Sequence, residues 1–211
     1  MPLDAIIFDI GNVILRFDFN HALRKLEKHS DPAAEAIVEL LEPIKQAYEG
    51  GRLPREDFQK EVRAILRFTG SDADLVGAWE DIFTENEPMI RLIEQLEPRY
   101  PLYLLSNTSD IHVEFIFGRY PVFKRFKDAV YSYKARALKP ELEIYQTAIR
   151  QFAVDPARTL FIDDLEPNIR SAAEAGFQVH HYHHDRHAAL FQQLREAGWS
   201  ETPSVAAASL G

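Results

Sequence analysis

The sequence predicts an α/β fold: a doubly wound parallel sheet carrying an inserted helical cap. Three observations lead there. Short apolar runs at 5–8, 102–105 and 159–162 each stop abruptly on polar residues. From Pro88 onward such runs alternate with helical patterns, the rhythm of parallel strands joined by crossover helices. Between them, roughly residues 17–86 show only helical periodicity and so read as a bundle inserted after the first strand.

Each element has its own signal. Ala5, Ile6, Ile7 and Phe8 form a buried strand that ends on Asp9, and Ile10, Gly11 and Asn12 supply a tight turn. Asn20 is the expected cap of a segment through His29. Pro32 opens a second helix that closes near Gly50-Gly51, and Pro54 a third whose Phe58, Val62, Ile65 and Leu66 share a face. Ser71 caps a fourth helix containing Leu75, Trp79, Ile82 and Phe83. Pro88 begins a helix to Leu96, and Leu102–Leu105 is a strand ending on Ser106-Asn107-Thr108. A helix over 110–117 and a short strand at 129–131 follow, and Lys139-Pro140 opens a helix to Phe152. Thr159–Ile162 is a strand ending on Asp163-Asp164; 168–175 reads as helix, 177–182 as extended and 187–197 as helix. The expected division is a core of 1–16 and 87–199, a cap of 17–86 and a flexible tail of 200–211 rich in Ala, Ser and Pro.

Composition narrows the function. The 211 residues suffice for one large domain with an insertion, and 46% hydrophobic with 27% charged residues is ordinary for a globular protein. A formal charge of −9 argues against a nucleic-acid binder, whose affinity rests on a basic footprint. No run approaches membrane-spanning length, and the N-terminus, carrying Asp4 and Asp9 without a basic lead, is unlike a signal peptide. With no cysteine there is neither a disulfide framework nor a thiolate metal site. The expectation is a soluble cytoplasmic protein, monomeric or a small homo-oligomer, without nucleic-acid or membrane partners.

The chemistry lies at the strand ends. Carboxyl ends of parallel strands line one edge of an open sheet, so Asp9, Ser106-Asn107 and Asp163-Asp164 are expected to meet in one crevice. Several carboxylates together call for a cation, and oxygen ligands favour a hard ion such as Mg²⁺. A hydroxyl, a side-chain amide and the Lys139 ammonium are the donors a phosphoryl group needs. The set reads as metal-assisted phosphoryl transfer with an aspartate nucleophile.

Four segments, FDIGNV at 8–13, LLSNT at 104–108, LKP at 138–140 and FIDD at 161–164, stand in the order found in the haloacid dehalogenase (HAD) superfamily, which the chain resembles over nearly its whole length. SNT followed by His112 and Tyr120-Pro121 is similar to bacterial sugar-phosphate phosphatases of the α-glucose-1-phosphate type and to the phosphatase domain of soluble epoxide hydrolase. The resemblance implies a Rossmann-like core and these roles. Asp9 attacks phosphorus; Ser106 and the backbone amide of Asn107 hold phosphate oxygens; Lys139 neutralises charge on phosphate and on Asp9. It implies Mg²⁺ held by Asp9, the Gly11 carbonyl and Asp164, with Asp163 as a ligand or just behind. The implied substrate is a small phosphorylated metabolite, plausibly a sugar phosphate.

One position departs from the pattern. Most phosphatases of the superfamily carry a second aspartate two residues after the nucleophile, as general acid and base; here Gly11 stands there. General acid–base help is worth about 10²–10⁴-fold in rate. An acidic leaving group, a solvent chain, or Asp18 or His21 could stand in. Gly11 also motivates a rival reading, a protein that binds a phosphorylated ligand with little turnover. A second rival, metal-independent haloacid dehalogenation, is opposed by the FIDD carboxylates, which repel a carboxylate substrate. His180, His181, His183, His184 and His187 suggest metal ligation but read as a polar strand end, and Trp79 and Phe83 as core.

Overall fold

A computed structural model describes residues 2–31, 34–80 and 82–200. Pro32, expected to open a helix, and the tail beyond Ser200 lie outside them. In chain order the elements are β1 (Ala5–Phe8), β2 (Leu15–Phe17), α1 (Phe19–Glu27), α2 (Ala34–Glu49), α3 (Arg55–Leu66), α4 (Asp72–Glu80), β3 (Phe83–Glu85) and α5 (Glu87–Leu96). There follow β4 (Leu102–Ser106), α6 (Asp110–Arg119), β5 (Asp128–Tyr131), α7 (Ser132–Ala135), α8 (Leu142–Phe152), β6 (Thr159–Asp163), α9 (Glu166–Glu174), β7 (Gln178–His181) and α10 (His187–Glu196).

Among the described residues, five strands form a parallel sheet in the order β5-β4-β1-β6-β7. Its two faces follow from the strand period of two. Ile6 and Phe8 of β1, with Leu104 and Ile162 beside them, join one apolar cluster with Leu92 and Ile93 of α5 and Leu190 of α10. Ala5 and Ile7 point the other way, into a cluster with Tyr145 and Ala148 of α8 and Ala172 of α9. Being covered on both faces is why these strands are continuous apolar runs rather than alternating ones.

Helices α1–α4 enclose a separate cluster built on Leu26, Ile37, Phe58, Val62, Leu66 and Trp79, joined by Ile111 of α6. The chain enters and leaves this bundle through an antiparallel ribbon, β2 paired with β3 in the register Leu15↔Glu85 and Phe17↔Phe83. Buried Asn86 follows it, donating through Nδ2 to Val13 O at 2.7 Å and to the Tyr182 hydroxyl at 2.9 Å.

Three local expectations are corrected. The cap of α1 is Asp18, whose Oδ1 accepts from Asn20 N at 2.9 Å, rather than Asn20 itself. Ile82 and Phe83 lie outside α4, because strand pairing with Phe17 captures Phe83. Helix α8 starts at Leu142, two residues beyond Pro140, with Glu141 at its N-cap. Ser71 does cap α4, in a reciprocal pair: Asp74 N donates to Ser71 Oγ at 3.2 Å and Ser71 N to Asp74 Oδ2 at 2.9 Å. Among the described residues no helix is long and apolar enough to cross a membrane.

The end of α2 is seated against the turn after β5. Gly51 has φ +67° and lies so close to the Tyr133 carbonyl that any Cβ would overlap it. Gly51→Ala is therefore expected to destabilise the protein by about 2 kcal/mol or more, read as a lower urea midpoint, because strain and backbone overlap add.

Candidate active site

Phe8 pairs with Leu104 on one side and Ile162 on the other. Asp9 and Asp163 therefore leave neighbouring strands at the same level, with Asp9 N donating to Ile162 O at 2.9 Å. Lys139, from the loop after α7, reaches between them: its Nζ lies 2.9 Å from Asp9 Oδ1 and 2.6 Å from Asp163 Oδ2. All three are buried. The Asp9 contact is an ion pair without hydrogen-bond geometry, so Asp9 Oδ1 is buried with no hydrogen bond.

Asp163 is fully engaged. Its Oδ1 accepts from Leu165 N at 2.8 Å and from Asn168 Nδ2 at 3.0 Å, while Oδ2 takes the lysine. Asp164 is half-buried; its Oδ2 accepts from Asn12 Nδ2 at 3.0 Å and its carbonyl lies 2.9 Å from His181 Nε2. Asn12 has φ 53°, the left-handed conformation that asparagine tolerates better than most residues. Carboxylate oxygens of Asp9, Asp163 and Asp164 all lie within 4.8 Å of one another.

This crowding sets the electrostatics. Burial pushes the Asp9 carboxyl up; Lys139 pulls it back, Asp163 and Asp164 push it further, and the result is about 6. Burial likewise raises Asp164. For Lys139 burial acts downward, but Asp163 and Asp9 outweigh it and hold the ammonium above its usual range. The lysine stays charged.

Ser106 and Asn107 reach the same cleft from the end of β4. The Asn107 side chain is not free to hold a ligand, as its residue type suggested. Its Nδ2 donates to Lys139 O at 2.9 Å and its Oδ1 accepts from Lys139 N at 2.8 Å, clamping the lysine backbone. Gly11 also lines the cleft, and among the described residues a Cβ there would meet only the Phe17 ring, at 3.4 Å. The cleft, about 690 Å³, runs between these strand ends and a face of α2 that carries Leu41, Glu42, Lys45, Gln46 and Glu49.

The haloacid dehalogenase-like hydrolase family matches residues 3–176. This chain belongs to that family. It is 30% identical to the D-ribitol-5-phosphate phosphatase of Bacteroides thetaiotaomicron, over 95% of this chain and 96% of that protein. A HAD family enzyme of the same organism, solved in complex with magnesium and inorganic phosphate, is 26% identical. It superposes with a TM-score of 0.75 over 84% of this chain and 93% of its own. A predicted HAD-like hydrolase of Porphyromonas gingivalis, 24% identical, shares the fold with a TM-score of 0.80 over 92% and 99% of the two chains.

Several expectations about this HAD-like hydrolase change at the level of side chains. Asp18 is exposed and committed to capping α1, so it does not reach the cleft. The side chain of His21 lies outside the described ones. The histidines do not gather at one point: His180 Nδ1 meets Gln193 Oε1 at 2.6 Å, and His187 Nδ1 meets the Tyr182 hydroxyl at 3.0 Å. His183 and His184 remain together with Asp185, exposed. His112 is buried in the cleft wall with Nε2 3.1 Å from Trp79 O, and burial lowers its pKa to about 4, so it is neutral and joins α6 to α4. Trp79 is core, as its spacing suggests, and also faces the cleft, as does Phe83.

Residue patterns alone missed Asn12, Asn168 and Glu49. Asn168 lies in the first turn of α9 and could have been suspected from its spacing to Asp163. Nothing local marks the pairing of Asn12 with Asp164, which are 152 residues apart. Glu49, in the last turn of a helix whose polar residues look solvated, carries no signal at all.

Proposed function

We propose that this chain is a Mg²⁺-dependent phosphatase that hydrolyses a small phosphorylated metabolite, in the sugar- or polyol-phosphate class, through an aspartyl-phosphate on Asp9. The observation that carries this reading is the buried lysine shared by Asp9 and Asp163, with Asp164 adjoining. Similarity to a D-ribitol-5-phosphate phosphatase supports the substrate class, and a magnesium- and phosphate-bound relative supports the ion.

The residues fit a hard divalent cation. Asp9 lacks a hydrogen bond at Oδ1 and is pushed up by burial first and then by the Asp163 and Asp164 carboxylates, a repulsion that a cation relieves. Asp9, Asp164 and the Gly11 carbonyl would hold it, whereas Asp163 is spent on Lys139, Leu165 and Asn168 and serves to position the lysine. The ion would supply positive charge that offsets the crowded carboxylates and the charge of a phosphoryl group.

The protein's own groups do the rest. An Asp9 oxygen attacks phosphorus in line, the bond to the leaving-group oxygen breaks, and water later hydrolyses the acyl phosphate. Lys139 neutralises charge on the phosphoryl oxygens, with Ser106 Oγ and the Asn107 backbone N–H as donors. Residues 1–16 with 87–199 form the core and residues 17–86 the cap, which excludes bulk water and contacts the leaving group. Phosphate release from p-nitrophenyl phosphate and a panel of sugar and polyol phosphates tests the proposal. Release is expected with Mg²⁺ and is expected to be abolished by EDTA. Metal-independent turnover of haloacids, or no release from any ester, would overturn it.

A further inference from the structure

A phosphatase that breaks an ordinary alkyl ester must hand a proton to the departing oxygen, and Gly11 holds none. That proton must come from another group lining the cleft. In an in-line displacement the leaving oxygen lies on the far side of phosphorus from the nucleophile. Here the far side is lined by α2, where Leu41, Glu42, Lys45, Gln46 and Glu49 recur at helical spacing.

Among the polar members of that row, Glu42 is spoken for. It pairs with Lys45 Nζ at 2.9 Å and accepts from Gln46 Nε2 at 3.0 Å. Glu49 is half-buried, and among the described residues no hydrogen bond or ion pair reaches its carboxyl. Its backbone is nonetheless firmly placed. Gly50 and Gly51 follow at once, with Gly51 packed on the Tyr133 carbonyl. One residue earlier, Tyr48 hydrogen-bonds through its hydroxyl to Asp110 of α6. Nearby, Arg55 Nη1 reaches Glu114 of the same helix at 2.7 Å. The end of α2 and the start of α3 are thus tied to the core at several points, and Glu49 lines the cleft with no hydrogen bond or ion pair to its carboxyl among the described residues.

We propose that Glu49 is the general acid for the leaving group, replacing from the cap the proton donor that position 11 lacks. The inference rests on the phosphatase reading above. As the Asp9–phosphorus bond forms and the phosphorus–alkoxide bond breaks, the proton on the Glu49 carboxyl passes to the alkoxide oxygen. The alcohol departs, and the Glu49 carboxylate regains a proton from solvent. The electrostatics agree with the geometry: burial raises the Glu49 carboxyl, Lys45 draws it back, Glu42 and Asp9 raise it again, and it settles at about 7. Such a group carries a proton in a large share of molecules at neutral pH, where an ordinary glutamate carries almost none. Other groups nearby are less suited. His112 is neutral and bound to Trp79 O, and Glu141 is exposed, accepting from Leu138 N.

The test compares leaving groups in Glu49→Gln and Glu49→Ala variants of the full chain with Mg²⁺. First-turnover release is measured from D-ribitol 5-phosphate and glycerol 2-phosphate, whose alkoxides need a proton, and from p-nitrophenyl phosphate, whose phenolate does not. Loss of the acid is expected to widen the ratio of p-nitrophenyl to alkyl rates by about 10²-fold or more, through kcat rather than KM. Equal losses on all esters, a change confined to KM, or a ratio within about threefold of wild type would overturn the proposal. If the wild-type protein releases phosphate from none of these esters, the phosphatase reading itself falls, a result separable from the others.

Discussion

Asp9→Asn is expected to lower phosphate release by about four orders of magnitude or more while the protein stays folded. The exchange keeps shape and removes only one carboxylate oxygen, the proposed nucleophile, and its charge. No other described carboxylate can take over. Asp163 has both oxygens occupied by Lys139, Leu165 and Asn168, and Asp164 is turned toward Asn12. The thermal midpoint without metal is expected to hold or rise, because the variant removes one of three crowded charges in a site where burial already pushes Asp9 up to about 6. Trapping a phosphoryl group on the wild-type protein by acid quench, and failing to trap it on the variant, would place the covalent bond on Asp9. Residual activity above about one per cent would remove Asp9 from that role.

Lys139→Met should do the most damage to stability. The ammonium lies against two buried carboxylates, at 2.9 Å and 2.6 Å. Removing one partner of a buried ion pair typically costs about 3–5 kcal/mol, because the charge left behind has lost both water and its counter-ion. Here two are left. The loss is expected as a lower urea midpoint in EDTA at pH 7.5, accompanied by near-complete loss of activity. Its sign with pH follows from Asp9. A carboxyl whose folded pKa of about 6 exceeds its unfolded 3.8 loses stability as pH rises through that interval. Without the lysine the folded value climbs further, so the deficit should be larger at pH 7.5 than at pH 4.5. A uniform deficit across that range would show that packing, rather than charge, is what Lys139 provides.

The two predictions rest on residues of different legibility. Asp9, Ser106 and Asp163 could be picked out because each follows an apolar run with no other reason to stop, and a strand that ends on a polar residue announces a sheet edge. Lys139 was legible by its place in an ordered set of motifs, not by local chemistry, since a lysine near a proline looks like any surface lysine. Asn107 shows the opposite problem. Its residue type suggests a ligand donor, yet its amide is consumed by the backbone on either side of the Lys139 Cα. Phe83 shows it for secondary structure: three residues of helical-looking pattern become a strand because Phe17 lies beside them.

Apolar periodicity and the order of polar stops determined the parallel sheet, the helical insertion and the side of the sheet on which chemistry gathers. Those signals are local, set by backbone periods of two and 3.6 residues that any short window displays. Which carboxylate keeps an oxygen without a hydrogen bond, which amide is spent on the backbone, and which residues of α2 line the cleft were decided by folding alone. Such contacts join residues as distant in the chain as Asn12 and Asp164, 152 positions apart. Their strength depends on water being excluded from them, a property that belongs to the packed molecule and to no stretch of its chain.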